Sequence, residues 1–474
     1  MWQLPVTIAV VLLSQGIYSR NTGDPGFLPS PSINWMRGVA ARMSRNNNNE
    51  QTMDEGPFDR VMYNNSQVWK ACGTDDKFQQ ELAKLKNNNM IAMWGGNVTC
   101  LDIMVRAPYV KKLNESFGKS KINFEVIIEN LQDAIDNENP PVETLELDNR
   151  QGKKPSNRMY LGRPKTYRQV EADSVNESHR LSWQAYHRLT DIHGYLDYLG
   201  ETYPQICSVK TIGSSVQGRP IKMIKISNGR AGNKAIWMDG GIHAREWISP
   251  ASVTYIINQI VLKYDSDPLL ESVDWYITPV LNPDGYEYSH NVDRLWRKNR
   301  RGSGFCTGTD LNRNFGHKWG GPGASANPCA ETYRGNSAFS EPETTAVRNF
   351  ISQPNIPWKA YLSFHSYGQY ILYPWGFDSS VPADYRELDR VGQKAVAAIQ
   401  QVGGPRYALG SSGKLLYPAT GGSDDWAKGT MGIKYAYTLE LRDNGRYGFV
   451  LPAHYIQPTA AEAYAAVRAI VSEV

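Results

Sequence analysis

Long apolar runs, surplus charge and cysteine are all scarce in this sequence, and each scarcity narrows the possibilities. The apolar run at residues 6–13 is far short of the roughly 20 residues a membrane span needs. Its place at the N-terminus makes residues 1–20 read as a signal peptide, although the charged residues that usually open one are missing. Secretion is therefore expected, without stable membrane association. Lys and Arg total 51 against 47 Asp and Glu, a formal net charge of +4. So slight a surplus argues against nucleic acid as a partner, which calls for a concentrated basic face. There are five cysteines, and an extracellular location permits them to pair. Cys306 and Cys329 bracket a Gly-rich loop, and Cys72 and Cys100 share a separate upstream block. These are the two candidate disulfides. Cys207, in the apolar run Ile206-Cys207-Ser208-Val209, is left over and reads as a buried, unreactive thiol.

What is present divides the chain. Residues 21–56 are rich in Asn, Pro, Gly and Ser, including Asn46-Asn47-Asn48-Asn49, and read as a flexible leader. Residues 57–140 become regular. Strand-like character is expected over 59–69, 97–105 and 124–129, and helix over 77–86 and 109–117, a β-α-β-α-β order that suggests a small α+β open sandwich. Residues 141–178 are polar and contain Lys154, Arg158, Arg163 and Arg168. They read either as a solvated linker or as one cut by a trypsin-like protease. Lys154 and Arg163 precede prolines, so Arg158 and Arg168 are the better cleavage candidates. The N-x-S/T acceptors Asn64, Asn97, Asn114 and Asn176 all fall before residue 180.

From residue 179 to 474 strands and helices alternate. Strands are expected at 235–238, 275–281, 361–364 and 435–441, and helices at 251–262 and 459–471. Thr190 is a candidate cap for a helix carrying Ile192, Tyr195, Leu196 and Leu199, and Ser340-Glu341-Pro342-Glu343 reads as a capping box. The rhythm predicts an α/β domain, a mixed central sheet with helices on both faces, whose site lies at the carboxyl ends of strands.

In Gly240-Gly241-Ile242-His243-Ala244-Arg245-Glu246-Trp247, His243 and Glu246 follow a strand and stand three residues apart. The pair alone is weak, because surface His and Glu often fall at such spacing. His365 strengthens it by ending the apolar strand Tyr361-Leu362-Ser363-Phe364. Two histidines at strand ends with a glutamate beside one of them favour a His/Glu/His zinc site that leaves an open position.

Here the residues carry a resemblance. Gly241 to Trp247, Asp310-Leu311-Asn312-Arg313-Asn314, Phe364-His365-Ser366-Tyr367 and Glu440-Leu441-Arg442-Asp443 resemble, in order and spacing, the motifs of the funnelin metallocarboxypeptidases, the pancreatic carboxypeptidase A and B family. The likeness runs from about residue 180 to the C-terminus, and residues 57–140 resemble the family's inhibitory pro-segment.

The resemblance implies one Zn2+ per chain and a monomer acting on peptide or protein C-termini. It implies that Glu440 is the general base and that Arg297 faces the developing oxyanion. By the same likeness Asn312 and Arg313 clamp the terminal carboxylate, Tyr417 closes over the C-terminal residue, and Arg245 and Arg294 serve outer subsites. Asp424, in Gly421-Gly422-Ser423-Asp424-Asp425-Trp426, stands where B-type enzymes carry aspartate and A-type enzymes an apolar residue. Ser412 maps to the pocket wall. A B-type preference for Lys or Arg is expected, with an A-type or broad exopeptidase, or a non-catalytic zinc-binding homologue, as alternatives. The chain departs from the pancreatic pattern by about one extra residue between Trp426 and Gly432, and by a few fewer between Glu246 and His365.

Overall fold

In this computed structural model the described residues are 59–73, 75–97, 99–140, 181–302 and 305–474. The expected signal peptide and leader, the whole of the expected linker with Arg158 and Arg168, and Asn176 lie outside them. Residues 59–140 build a four-stranded antiparallel sheet in the order β2-β3-β1-β4, from β1 (Gln67–Cys72), β2 (Ile91–Gly96), β3 (Cys100–Val105) and β4 (Asn123–Ile128). The strand β2 escapes the sequence reading, and β1 starts later than expected. Helices Asp76–Asn87 and Val110–Ser120 cover one face around buried Trp69, Phe78, Leu82 and Phe117. Asp75 caps the first helix by accepting from the Phe78 N–H. The other face of the sheet lies against the larger domain: Val68, Trp94 and Met104 share a core with Leu295, Tyr367, Phe449 and Val450. All described residues belong to one compact unit.

The larger domain holds an eight-stranded mixed sheet. Its strands are β5 (Cys207–Ser214), β6 (Pro220–Ile226), β7 (Lys234–Asp239), β8 (Val273–Thr278), β9 (Trp358–Ser366), β10 (Tyr370–Tyr373), β11 (Ala408–Ser411) and β12 (Tyr435–Leu441). Their order is β11-β10-β12-β9-β7-β8-β6-β5, with β12, β9, β7 and β8 mutually parallel. Because side chains alternate along a strand, the two faces sort cleanly. Ile236, Met238, Leu362 and Phe364 enter the larger core beneath helices Ile248–Lys263, Tyr385–Gln401 and Ile456–Val471. Ala235, Trp237 and Tyr361 point the other way, toward helices Pro342–Ile351 and Ser423–Gly429. The expected mixed sheet between two helical layers is the observed architecture.

Two expected caps do not form. The helix Leu189–Thr202 starts one residue before Thr190, and Glu287 accepts from the Leu189 N–H instead. The Ser340 hydroxyl donates to Glu341 and accepts from the Asn314 amide rather than from a helix N–H. Glu343 is drawn off to the Val216 N–H and the Asn299 amide. Both disulfides, Cys72–Cys100 and Cys306–Cys329, are present, and Cys207 is a buried free thiol.

Trp69 is fully buried, stacked on Phe124 at 4.5 Å and edge-on to Phe117 at 5.7 Å. Truncating so large a core side chain removes apolar burial and leaves a cavity. Trp69→Ala should lower the stability of the small domain by about 3–5 kcal/mol in denaturant titration. A loss under about 1 kcal/mol would mean that the aromatic trio is not the anchor of this domain.

Candidate metal centre and active-site cleft

Three parallel strands end together. After β7 the chain turns through Gly240 and Gly241. A Cβ on Gly240 would meet Ser249 Oγ at 2.9 Å and the Pro279 carbonyl at 3.0 Å, and Gly241 has φ +62°, so both positions demand glycine. The turn delivers His243 and Glu246. On β9, His365 pairs in register with Glu440 of β12, which places both side chains on one face.

His243, Glu246 and His365 are buried, and a donor atom from each lies within 4.8 Å of the others. His243 Nδ1 is 2.8 Å from Glu246 Oε1, His365 Nδ1 is 3.2 Å from Glu246 Oε2, and the two Nδ1 atoms are 3.2 Å apart. Donors about 2.0–2.1 Å from a tetrahedral zinc lie roughly 3.3 Å apart, so the set fits that ion. The outward nitrogens are held too. His243 Nε2–H donates to Asp310 Oδ1 at 3.1 Å, and His365 Nε2–H to Ser363 Oγ at 3.1 Å, a tautomer that turns both Nδ1 lone pairs inward.

The electrostatics suit a cation. Burial alone would raise the Glu246 carboxyl, yet His243 and His365 hold it far below its ordinary value. Burial lowers His243, and Arg297 adds to this. At His365 burial is outweighed by Glu246, and the ring is pushed up to about 9. A metal ion would take the place of that proton.

Asp310 is the hub of the surrounding charges. It is fully buried and accepts from Arg297 Nε and Nη2 at 3.1 and 3.0 Å through its second oxygen. Burial opposes its charge, but Arg297, Arg313 and His243 hold it ionised. Burial likewise opposes the Arg297 charge, which Asp310, Glu246 and Tyr417 sustain. Arg313 is fixed by bonds to the Gly323 carbonyl at 3.0 Å and the Asn312 carbonyl at 2.8 Å. Asn312 accepts from the Ser423 N–H at 2.9 Å. Glu440 keeps some surface exposure. Loss of water in the cleft nevertheless pushes it up to about 7, with Glu246 adding to the rise and His365, Arg297 and Arg313 opposing it.

Farther along the cleft, Asp424 is 7% exposed, near Asn312 across Gly422. Burial raises its carboxyl, while the Asp425 N–H, His365 and Thr438 restrain the rise. Its neighbour Asp425 faces the other way and accepts from the Gly376 and Phe377 N–H groups. Ser412 opens a short helix beside Gly376, and Tyr417 is half exposed.

Arg245 and Arg294 are not free in this form of the chain. Arg294 is gripped by Glu138 of the small domain at 2.5 and 2.8 Å, donates to the Phe449 and Arg245 carbonyls, and lies over Trp247. Arg245 is buried beneath Phe449 and donates to the Leu295 carbonyl. Asp102, also of the small domain, accepts from the Tyr367 hydroxyl at 2.9 Å. Reading the sequence missed Asp310, Ser363, Glu138 and Asp102. Of these only Asp310 left a signal, inside a quoted motif.

Comparison with known proteins agrees with this geometry. The zinc carboxypeptidase pattern matches residues 192–466, and the carboxypeptidase activation peptide pattern matches residues 74–138. Carboxypeptidase B of Astacus astacus is 47% identical over 294 residues, covering 61% of this chain and 97% of that one. Carboxypeptidase A1 of Sus scrofa is 44% identical over 296 residues, covering 61% and 70%. The crystal structure of thrombin activatable fibrinolysis inhibitor superposes with a TM-score of 0.73 at 34% identity, covering 87% of this chain and 99% of that one. The chain belongs to the zinc carboxypeptidase family and carries that family's activation peptide ahead of its catalytic domain.

Proposed function

We propose that the chain is a secreted precursor which, once cut within residues 141–178 by a trypsin-like protease, acts as a monomeric carboxypeptidase releasing C-terminal Lys or Arg. The basic preference is carried by Asp424. Among the described residues no Lys or Arg pairs with this buried carboxylate. A lone buried charge is costly, and a substrate cation would supply the missing partner. Ser412 leaves room for a long side chain. The similar match to an A-type relative makes an apolar or broad preference the competing reading.

The remaining residues divide the work. Arg313, already oriented by two backbone carbonyls, and Asn312 receive the terminal carboxylate. A planar guanidinium binds that group by paired hydrogen bonds. Internal peptide bonds lack the charge and are excluded. Arg297, braced by Asp310, stabilises the negative charge that develops on the scissile oxygen. Glu440 takes a proton from the attacking water and passes it to the leaving amine. A carboxylate pushed up to about 7 can both accept and return a proton near neutral pH. His243, Glu246 and His365 would hold zinc, which when bound would supply Lewis acidity to the carbonyl and lower the pKa of a bound water. Tyr417 covers the bound C-terminal residue.

Latency follows from the small domain. It occupies Arg294 through Glu138 and Tyr367 through Asp102, and so blocks the outer part of the cleft. The precursor should hydrolyse a protein substrate far more slowly than the processed form. Glu138→Ala should raise the precursor's activity, and equal rates for precursor and processed enzyme would remove this role.

Two further outcomes test the site. Glu440→Gln in the processed enzyme should retain zinc while kcat falls by about 10²–10⁴-fold. Unchanged turnover would exclude Glu440 as the base. Peptides ending in Arg should be cleaved faster than those ending in Leu. Asp424→Asn should cut kcat/KM for the Arg peptide by at least about 10²-fold, as expected for loss of one member of a buried ion pair. Faster release of Leu by the parent enzyme would establish the competing reading.

A further inference from the structure

The two metal-donor histidines are braced differently. His243 is held directly by a carboxylate, Asp310, whereas His365 Nε2 meets a serine hydroxyl, Ser363 Oγ at 3.1 Å. A hydroxyl alone is a soft brace because it rotates freely. Here it is locked. Ser363 Oγ–H donates to Asp239 Oδ1 at 2.7 Å, and Asp239 Oδ2 accepts from Trp237 Nε1–H at 2.7 Å. Asp239 and Ser363 are fully buried, with His365 at 1% exposure.

The sheet enforces the alignment. Asp239 and Ser363 are register partners on parallel β7 and β9, so their side chains stand side by side on one face. His365 lies two residues beyond Ser363 and shares that face. The proton order is then determined. Ser363 has one hydrogen, which goes to Asp239, and its lone pair takes the hydrogen of His365 Nε2. That leaves Nδ1 of His365 bare and aimed at Glu246 and His243.

We propose that Asp239 and Ser363 are positioning residues, a carboxylate–hydroxyl relay that fixes the ring and tautomer of His365 and thereby sets how tightly and how long zinc is held. The proposal rests on His365 being a zinc donor, as read above. Asp239 lies on β7, one strand away from His365, and its hydrogen bonds reach that donor only through Ser363.

The test uses the full-length precursor, stripped of metal with 1,10-phenanthroline. Zinc affinity is measured by competition with a fluorescent chelator, and zinc loss is followed after addition of excess EDTA. His365→Ala tests the underlying reading and should abolish tight binding. Ser363→Ala and Asp239→Asn should each weaken affinity by roughly 10–100-fold and speed zinc loss. The double variant should be no weaker than the weaker single one, because both act through one ring. Ile236→Ala, on the same strand but facing the opposite core, should lower thermal stability without altering zinc affinity.

Parental zinc affinity in His365→Ala would overturn the ligand reading, and the relay with it. Loss of binding there, with affinity within threefold of the parent in Ser363→Ala, would overturn the relay alone. So would an equal loss in Ile236→Ala, which would assign the effect to the sheet as a whole. Should Asp239→Asn fail to fold, Ser363→Ala decides the matter.

Discussion

The parallel registration of β7, β9 and β12 is the constraint on which the site depends. Parallel neighbours end on the same side of a sheet, and paired residues face the same way. Asp239 opposite Ser363, and His365 opposite Glu440, are therefore consequences of hydrogen-bond register rather than of flexible loops. A slip of one residue in β9 would turn His365 and Ser363 into the apolar core and bring Phe364 into the cleft. The large apolar cluster on the far face, with Ile236, Met238, Leu362 and Phe364, opposes that slip. Packing on one face thus secures chemistry on the other.

So much charge can be buried around the metal donors because Asp310, Arg297, Glu246 and the two histidines pair with groups of opposite sign. Asp310 joins the two halves of the cleft by accepting from His243 with one oxygen and from Arg297 with the other. Without it, a desolvated guanidinium would lie 3.8 Å from Glu246 with that carboxylate as its nearest counter-ion, and Glu246 would be drawn from the metal position. The buried carboxylates Asp239 and Asp425 are satisfied by neutral donors instead, whereas Asp424 is a buried carboxylate without an ion-pair partner among the described residues. An imbalance of that kind is expected where a ligand completes the site.

Local pattern made the catalytic domain's centre legible. Strand β12 matches its expected span of 435–441, and β7 and β9 extend their expected cores by a few residues. Their alternation of apolar residues is strong, and both faces are covered. The strand β2 was passed over because Ile91-Ala92-Met93-Trp94-Gly95-Gly96 is short and ends in two glycines, a composition typical of a turn. Caps failed for a different reason. Glu287 and Asn299 reach in from other elements to take the bonds that Thr190 and Ser340-Glu343 offered locally. The supporting residues were invisible because their partners are remote: 67 positions separate His243 from Asp310, 124 separate Asp239 from Ser363, and 156 separate Glu138 from Arg294. No window along the chain contains such pairs.

The contact between the two domains has a related logic. Val68, Trp94 and Met104 bury apolar area against Leu295, Phe449 and Val450, and that burial supplies the attraction. The Glu138–Arg294 pair at the same surface is buried on both sides, at 2% and 1% exposure. Ion pairs so fully desolvated add little net stability, yet breaking one while its surroundings stay dry is strongly unfavourable. The pair therefore selects one seating of the small domain, in which the Glu138 carboxylate meets the fork of Arg294, over others that would leave either charge alone. Separation of the domains returns both groups to water and removes that penalty. An attachment of this kind is specific in its seating while adding little net stability, a combination suited to an activation peptide.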